Sequence, residues 1–329
     1  MAFAENRYDV MKYRRCGRSG VLLPMVSLGL WQSIGAAGAD DVAKQCVHYA
    51  FDHGVTHFDL ANNYGPPPGS AEEIFGRIAK GLPRDEIIVS TKAGYRMWPG
   101  PYGEWGGRKY LLASLDQSLR RMGLDYVDIF YSHRFDPHTP LEETMGALEQ
   151  AVRQGKALYA GVSNYGGVQF RDAVAVRKQN GWSPLLIHQP YYNMLTRGAE
   201  SDLLPHTAAE GVGVIAFCPL AQGVLSAKYL SKNGPPADSR FGKSPDAKKW
   251  YDEQAKAGTW KKVAALNDLA TQRGQTLPQL ALTWLLRDNR VTTVLIGASR
   301  LDQVKENLAI VNQSPLTAEE LEKIEAILK

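Results

Sequence analysis

Four residues of the 329-residue sequence carry side chains suited to moving a proton onto a carbonyl oxygen: Asp59, Tyr64, Lys92 and His133. A tyrosine is a weak acid at neutral pH, with an ordinary pKa of about 10. A lysine ammonium beside it favours the phenolate and is expected to pull that value down. A carboxylate paired with the lysine keeps it charged and in place. A histidine against the same oxygen can donate a hydrogen bond as a carbonyl turns into an alkoxide. The set suits protonation of a carbonyl oxygen while hydride reaches the carbon. Asp59 orients Lys92, Tyr64 delivers the proton and His133 steadies the oxygen.

Their places along the chain make these residues one candidate site. Eight short, nearly continuous apolar runs occur, at 25–31, 55–61, 87–93, 127–133, 157–164, 185–190, 212–220 and 292–299. Such runs suit parallel strands covered on both faces. Stretches with apolar residues at i, i+3 and i+4 lie between them. Residues 40–54 end in Gly54, a helix C-cap; 108–123 bury Leu111, Leu112, Leu115, Leu119 and Met122 and stop at Gly123; 140–155 begin with Pro140 at the N1 position and stop at Gly155. Strand and helix alternating eight times predict an α/β fold, a (β/α)8 TIM barrel, as one domain over residues 1–329.

In such a barrel, chemistry collects where the strands end. The second run ends near Asp59, with Tyr64 in the loop that follows. The third ends with Lys92, the fourth with His133, the fifth with Ser163 and Asn164, the sixth with Gln189, and the eighth with Gly297 and Ser299.

Three pieces depart from the repeat. Residues 11–23 read as a hairpin turning at Arg18-Ser19-Gly20 that plugs the barrel floor. Residues 94–108 and 221–258 are long connections of the kind that become lids or binding loops. Residues 317–329 form an extra C-terminal helix with a capping box of Thr317 and Glu320. The 94–108 connection carries Tyr95, Trp98, Tyr102, Trp105, Arg96 and Arg108. It is either a lid that keeps water from the site or a loop packed on itself. Trp98 would join Tyr64 and His133 around the substrate, and Arg96 or Arg108 suits a phosphate or carboxylate on it.

Composition removes other classes. The chain is 44% hydrophobic, enough for a large core, and its 38 basic against 34 acidic residues form no long run of like charge, which argues against a nucleic-acid stripe. Cys16, Cys46 and Cys218 are widely spaced, so neither a metal site nor a disulfide framework is indicated and a reduced cytoplasm is expected. The opening residues hold no apolar h-region, and no run of 18 apolar residues predicts a membrane span.

The motifs "FDLANNYG", "STKAG", "DIFYSH", "GVSN" and "VLIGASRLDQVKENL" make the sequence similar to the aldo-keto reductases over essentially its whole length. "ANNYGPPPGSAEE" with "MWPGPYG" resembles the branch of potassium-channel beta subunits and bacterial L-glyceraldehyde 3-phosphate reductases, the latter more closely. The resemblance implies that Asp59, Tyr64, Lys92 and His133 are a catalytic tetrad, with Asp59 also at the cofactor. It implies NADPH bound without a Rossmann fingerprint, and none occurs here.

By the same resemblance, Trp31, Ser163, Asn164 and Gln189 hold the nicotinamide end, with Tyr191 or Tyr192 as a stacking surface. Pro219, Leu220 and Gln222 meet the pyrophosphate, with Lys228 and Arg240 closing over it. Gly297, Ser299, Gln303, Glu306 and Asn307 take the adenosine end, where a helix opening at Ser299 offers free N–H groups to a 2′-phosphate. Substrates implied are small aldehydes such as L-glyceraldehyde 3-phosphate or methylglyoxal, in a homo-oligomer, tetramer or octamer. The channel subunits carry Asn where this chain has His133, and "SR" where it has Ser163-Asn164. A slow redox-sensing subunit is the alternative to a reductase.

Overall fold

The structure is a computed structural model that describes residues 3–230, 234–237, 239, 241–242 and 245–329. Ten strands occur among the described residues: β1 (Tyr13–Arg15), β2 (Leu22–Pro24), β3 (Val26–Gly29), β4 (His57–Asp59), β5 (Ile88–Ala93), β6 (Val127–Ser132), β7 (Ala157–Ser163), β8 (Leu185–Gln189), β9 (Gly213–Ala216) and β10 (Thr293–Gly297). Strands β3 to β10 pair in parallel and close into a barrel in which β10 lies between β9 and β3. The eight apolar runs are these eight strands, each shorter than its run.

Helices pack around the barrel: α1 (Asp40–Asp52), α2 (Ser70–Ala79), α3 (Arg108–Met122), α4 (Leu141–Arg153), α5 (Gly167–Gln179), the short α6 (Ala199–Asp202) and α7 (Leu204–Glu210), α8 (Pro245–Lys256), α9 (Thr259–Gln272), α10 (Leu277–Leu286), α11 (Leu301–Leu308) and α12 (Ala318–Leu328). Helix α3 stops where Gly123 adopts φ +64°, a left-handed conformation that ends helices readily. Leu111, Leu115, Leu119 and Met122 on its inner face are buried, and Leu112 is partly so. Helix α12 opens on the expected capping box, with Thr317 Oγ1 accepting from the Glu320 amide and Glu320 Oε2 accepting from the Thr317 amide.

Helix boundaries differ from the sequence reading in places, and the C-cap of α1 is His53 with Gly54 just beyond it. Pro140 is the N-cap of α4, in extended backbone, and Leu141 is the first helical residue. Part of the 221–258 connection is ordered as α8, whose mostly polar sequence offers a weak apolar stripe.

Strands β1 and β2 pair antiparallel as the predicted hairpin. Its Cys16, Val21 and Leu23 pack against Ile129, Tyr131, Ile187, Ile215 and Leu295 inside the barrel, so it closes the floor. The turn comes so near the β9 entrance that a Cβ on Gly17, at φ +56°, would lie 2.0 Å from the Gly211 carbonyl oxygen. Only glycine fits there. With the floor filled, the opposite end of the barrel is left to hold chemistry.

Candidate active site

Strand register brings the four residues together. Asp59 sits opposite Ser90, and Lys92 opposite Tyr131. His133 follows β6 directly, with its amide donating to the Ala93 carbonyl. Gly94 lets it approach, since a Cβ there would fall 2.9 Å from His133 Cβ. Tyr64 is held by its loop, whose Gly69 amide donates to the Tyr64 carbonyl at 3.0 Å. Glu72, fully buried one turn into α2, accepts from Thr91 and pairs with Arg121, tying this loop to β5 and α3.

Lys92 is the hub. Its Nζ donates to Asp59 Oδ2 at 2.5 Å, to the Leu60 carbonyl at 2.7 Å and to Tyr64 Oη at 3.3 Å. An ammonium has three protons, so all are used and the lysine is fixed. Asp59 and Lys92 are both completely buried. Asp59 Oδ1 accepts from Ser90 Oγ at 2.7 Å and from Gln189 Nε2 at 3.1 Å. The Tyr64 ring faces the His133 ring at 5.9 Å and lies 6.5 Å from Trp31.

Burial decides the electrostatics. It pulls the Lys92 ammonium down from its ordinary value, while Asp59 works against it. Tyr64 is pushed well above the ordinary tyrosine value, first by loss of water and then by Asp59, Cys218 and Tyr95. The expectation that Lys92 lowers the phenol is therefore overturned in the free protein. The lysine's charge is met by Asp59, and desolvation of the phenolate wins. His133 is held far below the ordinary imidazole value by burial, Lys92 and Arg134, so it is neutral at pH 7. Its Nδ1 is buried and has no hydrogen-bond partner among the described residues.

His57, pushed down to about 4, and His188, to about 3, are likewise buried and neutral. Unfolding lets all three imidazoles titrate near pH 6.5. The unfolded chain then binds more protons than the folded one below that pH, so stability is intact above about pH 6.5 and falls as pH drops toward 4. The expected slope is on the order of 4 kcal/mol per pH unit for three such groups near pH 5. Urea midpoints should hold level between pH 7.5 and about 6.5 and then fall toward pH 5, and a profile flat throughout would mean that these rings take up protons in the folded state.

The 94–108 connection is packed on itself and also borders the site. Arg134 stacks on Trp105 at 3.7 Å and on Tyr95 at 4.3 Å, donates to the Gly94 carbonyl and pairs with Glu104. Tyr95 in turn sets its ring edge-on to His133 at 4.7 Å. Trp98 lies a layer back, against Tyr110 at 5.2 Å. Tyr95 is thus the loop aromatic that reaches His133. Arg96 is exposed, and its guanidinium makes no hydrogen bond or ion pair among the described residues, while Arg108 sits exposed at the start of α3.

Of the residues expected at a dinucleotide, Ser163, Gln189 and Gly297 are the last residues of β7, β8 and β10. Asn164, at φ +55°, is exposed and donates through Nδ2 to the His133 carbonyl and Ser163 Oγ, which leaves its amide oxygen to accept. Ser163 Oγ donates to the Gln189 carbonyl at 2.8 Å. Tyr191 is half-buried beside Phe217, whereas Tyr192 is fully buried, bonds Glu200 and packs on Trp284. Tyr191 is therefore the one of the two able to present a ring face.

After β9 the chain turns through Cys218, buried Pro219, half-buried Leu220, Ala221 and exposed Gln222. Cys218, Ala221 and Gln222 are left-handed at φ +52°, +48° and +58°. Non-glycine residues held this way cluster where a backbone must cradle something. Lys228 is exposed, its ammonium 4.8 Å from the Tyr229 ring. Arg240 lies outside the described residues.

At the adenosine end, Gly297 is exposed and a Cβ on it would meet nothing within 4 Å. The helix there opens at Leu301, not Ser299. The Ser299 amide and hydroxyl both donate to Gln303 Oε1, at 2.7 and 3.0 Å, so those donors are engaged within the turn. Glu306 is half-buried, with its carbonyl accepting from Gln279, and Asn307 is buried. The exposed N-cap Arg300 went unnamed in the sequence reading, although a basic residue between Ser299 and the helix was a visible signal. As a donor set, the amide oxygen of Asn164, the ring of Tyr191 and the cations Lys228 and Arg300 suit a carboxamide, a flat ring and phosphates. The site therefore fits a nicotinamide dinucleotide.

Residues 25–329 match the family model described as "Aldo/keto reductase family". The chain is 53% identical over 325 residues to the L-glyceraldehyde 3-phosphate reductase of Escherichia coli K12, covering 97% of this chain and 93% of that protein. It is 35% identical over 325 residues to the probable voltage-gated potassium channel subunit beta of Arabidopsis thaliana and to that of rice, with 97% of each chain covered.

Proposed function

The chain belongs to the aldo/keto reductase family, and from that premise we propose that it is an NADPH-dependent reductase of small aldehydes, with L-glyceraldehyde 3-phosphate and methylglyoxal as leading substrates. The observation that carries this is Lys92 Nζ bonded at once to Asp59 and to the Tyr64 phenol, beside a neutral His133.

NADPH, when bound, supplies the hydride. The protein's residues do the rest. His133 donates a hydrogen bond to the carbonyl oxygen and directs it toward Tyr64. The Tyr64 phenol is a full proton donor at neutral pH because its pKa is raised. An alkoxide is a stronger base than a phenolate, so the proton moves to it downhill. The phenolate left behind then faces Lys92 Nζ at 3.3 Å. Lysine thus serves after proton transfer by stabilising the product charge, as a preorganised donor should. Tyr95 and the Arg134-pinned loop exclude water from this exchange. Asn164 and Gln189 orient the carboxamide, Tyr191 backs the ring, and Arg300 takes the 2′-phosphate, because the Ser299 donors are given to Gln303.

A cytoplasmic homo-oligomer, tetramer or octamer, is part of the same reading, and light scattering on the purified protein tests the assembly. The exposed guanidinium of Arg96, without an ion pair among the described residues, is the candidate contact for a substrate phosphate.

NADPH oxidation followed with L-glyceraldehyde 3-phosphate and with methylglyoxal is the decisive assay. Turnover of about 1–10 per second is expected. Turnover well below about 0.01 per second would favour a slow redox-sensing role like the alternative drawn from the channel subunits. Arg96→Ala should raise KM for the phosphorylated aldehyde by roughly tenfold, the worth of one charge-assisted contact, and leave methylglyoxal within twofold. Equal effects on both substrates would remove Arg96 from the phosphate.

A further inference from the structure

Below the reactive ring, the barrel interior holds polar side chains that no role given so far uses. His57 and Asp59 share one face of β4, two residues apart, as Ser90 and Lys92 do on β5. His57 Nε2 lies 3.0 Å from Ser90 Oγ, His57 Nδ1 lies 2.9 Å from Ser27 Oγ, and Ser27 Oγ lies 2.8 Å from Thr293 Oγ1. All four residues are fully buried, as is Asp59.

The direction of every bond follows from donor counting. A carboxylate only accepts, so Ser90 gives its one proton to Asp59 Oδ1. Ser90 oxygen must then accept from His57 Nε2–H. A neutral imidazole carries one proton, so Nδ1 accepts from Ser27, and Ser27 accepts from Thr293. The chain runs one way, from β10 through β3, β4 and β5, and ends on the carboxylate that holds Lys92. Apolar side chains would fill this space at lower desolvation cost, and a buried polar run is tolerated only when fully satisfied.

We propose that His57 is a positioning residue for the reaction: acting through Ser90, it fixes the shorter of the two donors on Asp59 Oδ1, the other being Gln189. Oδ2 is thereby left to Lys92, and Lys92 Nζ is set against the Tyr64 phenol. The proposal rests on the reductase reading above. Loss of the Ser90 donor leaves Asp59 Oδ1 with only the longer 3.1 Å bond from Gln189, which loosens the carboxylate and Lys92 with it. Ser90 and His57 themselves are not among the residues placed at substrate or cofactor.

Steady-state kinetics of Ser90→Ala, His57→Leu and His57→Gln, with NADPH binding by fluorescence, test it. Ser90→Ala and His57→Leu should each lower kcat about tenfold, the worth of one charge-assisted hydrogen bond. KM for the aldehyde and Kd for NADPH should stay within twofold. His57→Gln keeps a donor and an acceptor and should recover kcat to within about threefold of wild type. The double variant Ser90→Ala/His57→Leu should be no slower than the worse single by more than about twofold, because both break one chain. Wild-type kcat in folded Ser90→Ala, or a His57→Gln as slow as His57→Leu, overturns the proposal. If His57→Leu fails to fold, Ser90→Ala and His57→Gln still decide it. A wild type without turnover overturns the reductase reading and this role together, while an active wild type with unmoved variants overturns this role alone.

Discussion

Tyr64→Phe should lower kcat for aldehyde reduction by about 10²–10⁴-fold, the usual contribution of a positioned general acid, while Kd for NADPH stays within twofold. The phenylalanine ring keeps the contacts with Trp31 and His133. Only the 3.3 Å bond to Lys92 is lost, and Lys92 retains Asp59 and the Leu60 carbonyl. Stability should therefore change by less than about 1 kcal/mol, because a long hydrogen bond to a group with other partners contributes little. Wild-type turnover should also persist well above neutral pH. A phenol whose pKa is raised remains protonated there, so the alkaline loss of activity comes when Lys92, whose pKa burial lowers, gives up its charge or when the phenol ionises. Retention of more than about a tenth of wild-type kcat in Tyr64→Phe would mean that another group, or water, delivers the proton.

The residues behind that prediction were readable because each stands at the end of a strong local signal. Strand runs such as 87–93 are apolar enough to mark a strand without any knowledge of its neighbours, and the last polar residue of each run marks the barrel mouth. Asp59, Lys92 and His133 are legible this way, and Tyr64 by its place just after the first of them. The supporting layer was hidden for the opposite reason. Ser27, His57, Ser90 and Thr293 lie within the runs, where a small hydroxyl or a lone imidazole does not disturb the apolar pattern. Their meaning comes from cross-strand register, which pairs Asp59 with Ser90. The i, i+2 spacing of His57 to Asp59 and of Ser90 to Lys92 was the one trace available.

Non-local closure explains the other departures. The Tyr64 pKa moves up instead of down because burial and Asp59 outweigh the lysine, and neither depth nor pairing is written in a sequence window. Tyr192 differs from Tyr191 only by the alternation of a chain passing from β8 toward α6, which turns one ring into the core and the next toward the mouth. The Arg134 clamp on Trp105 and Tyr95 joins loops from two different strands. Reading the strand ends supplied the position of His133 and passed over its neighbour.

The buried pair beneath the phenol makes a stability prediction as large as the kinetic one. Asp59→Asn strands a fully buried ammonium, and Lys92→Met strands a fully buried carboxylate. Removing one partner of such a pair costs about 3–5 kcal/mol, because the remaining charge stays desolvated without its counterion. Replacing both leaves no charge to strand. In Asp59→Asn, Ser90 and Gln189 can still donate to the side-chain amide oxygen, since both point at Oδ1 in the native protein. The double variant Asp59→Asn/Lys92→Met should therefore be more stable than either single, with a coupling energy above about 2 kcal/mol in the double-mutant cycle. Urea midpoints at pH 7 with unchanged m-values provide the measurement. Turnover should be lost in all three variants, because the phenolate has no cation to receive it in Lys92→Met and no anchored cation in Asp59→Asn. Stabilities that simply add, to within about 0.5 kcal/mol, would show that Asp59 and Lys92 are held apart electrostatically in solution. The charge set beneath Tyr64 would then have to be redrawn, even if the reductase activity itself survived every other test.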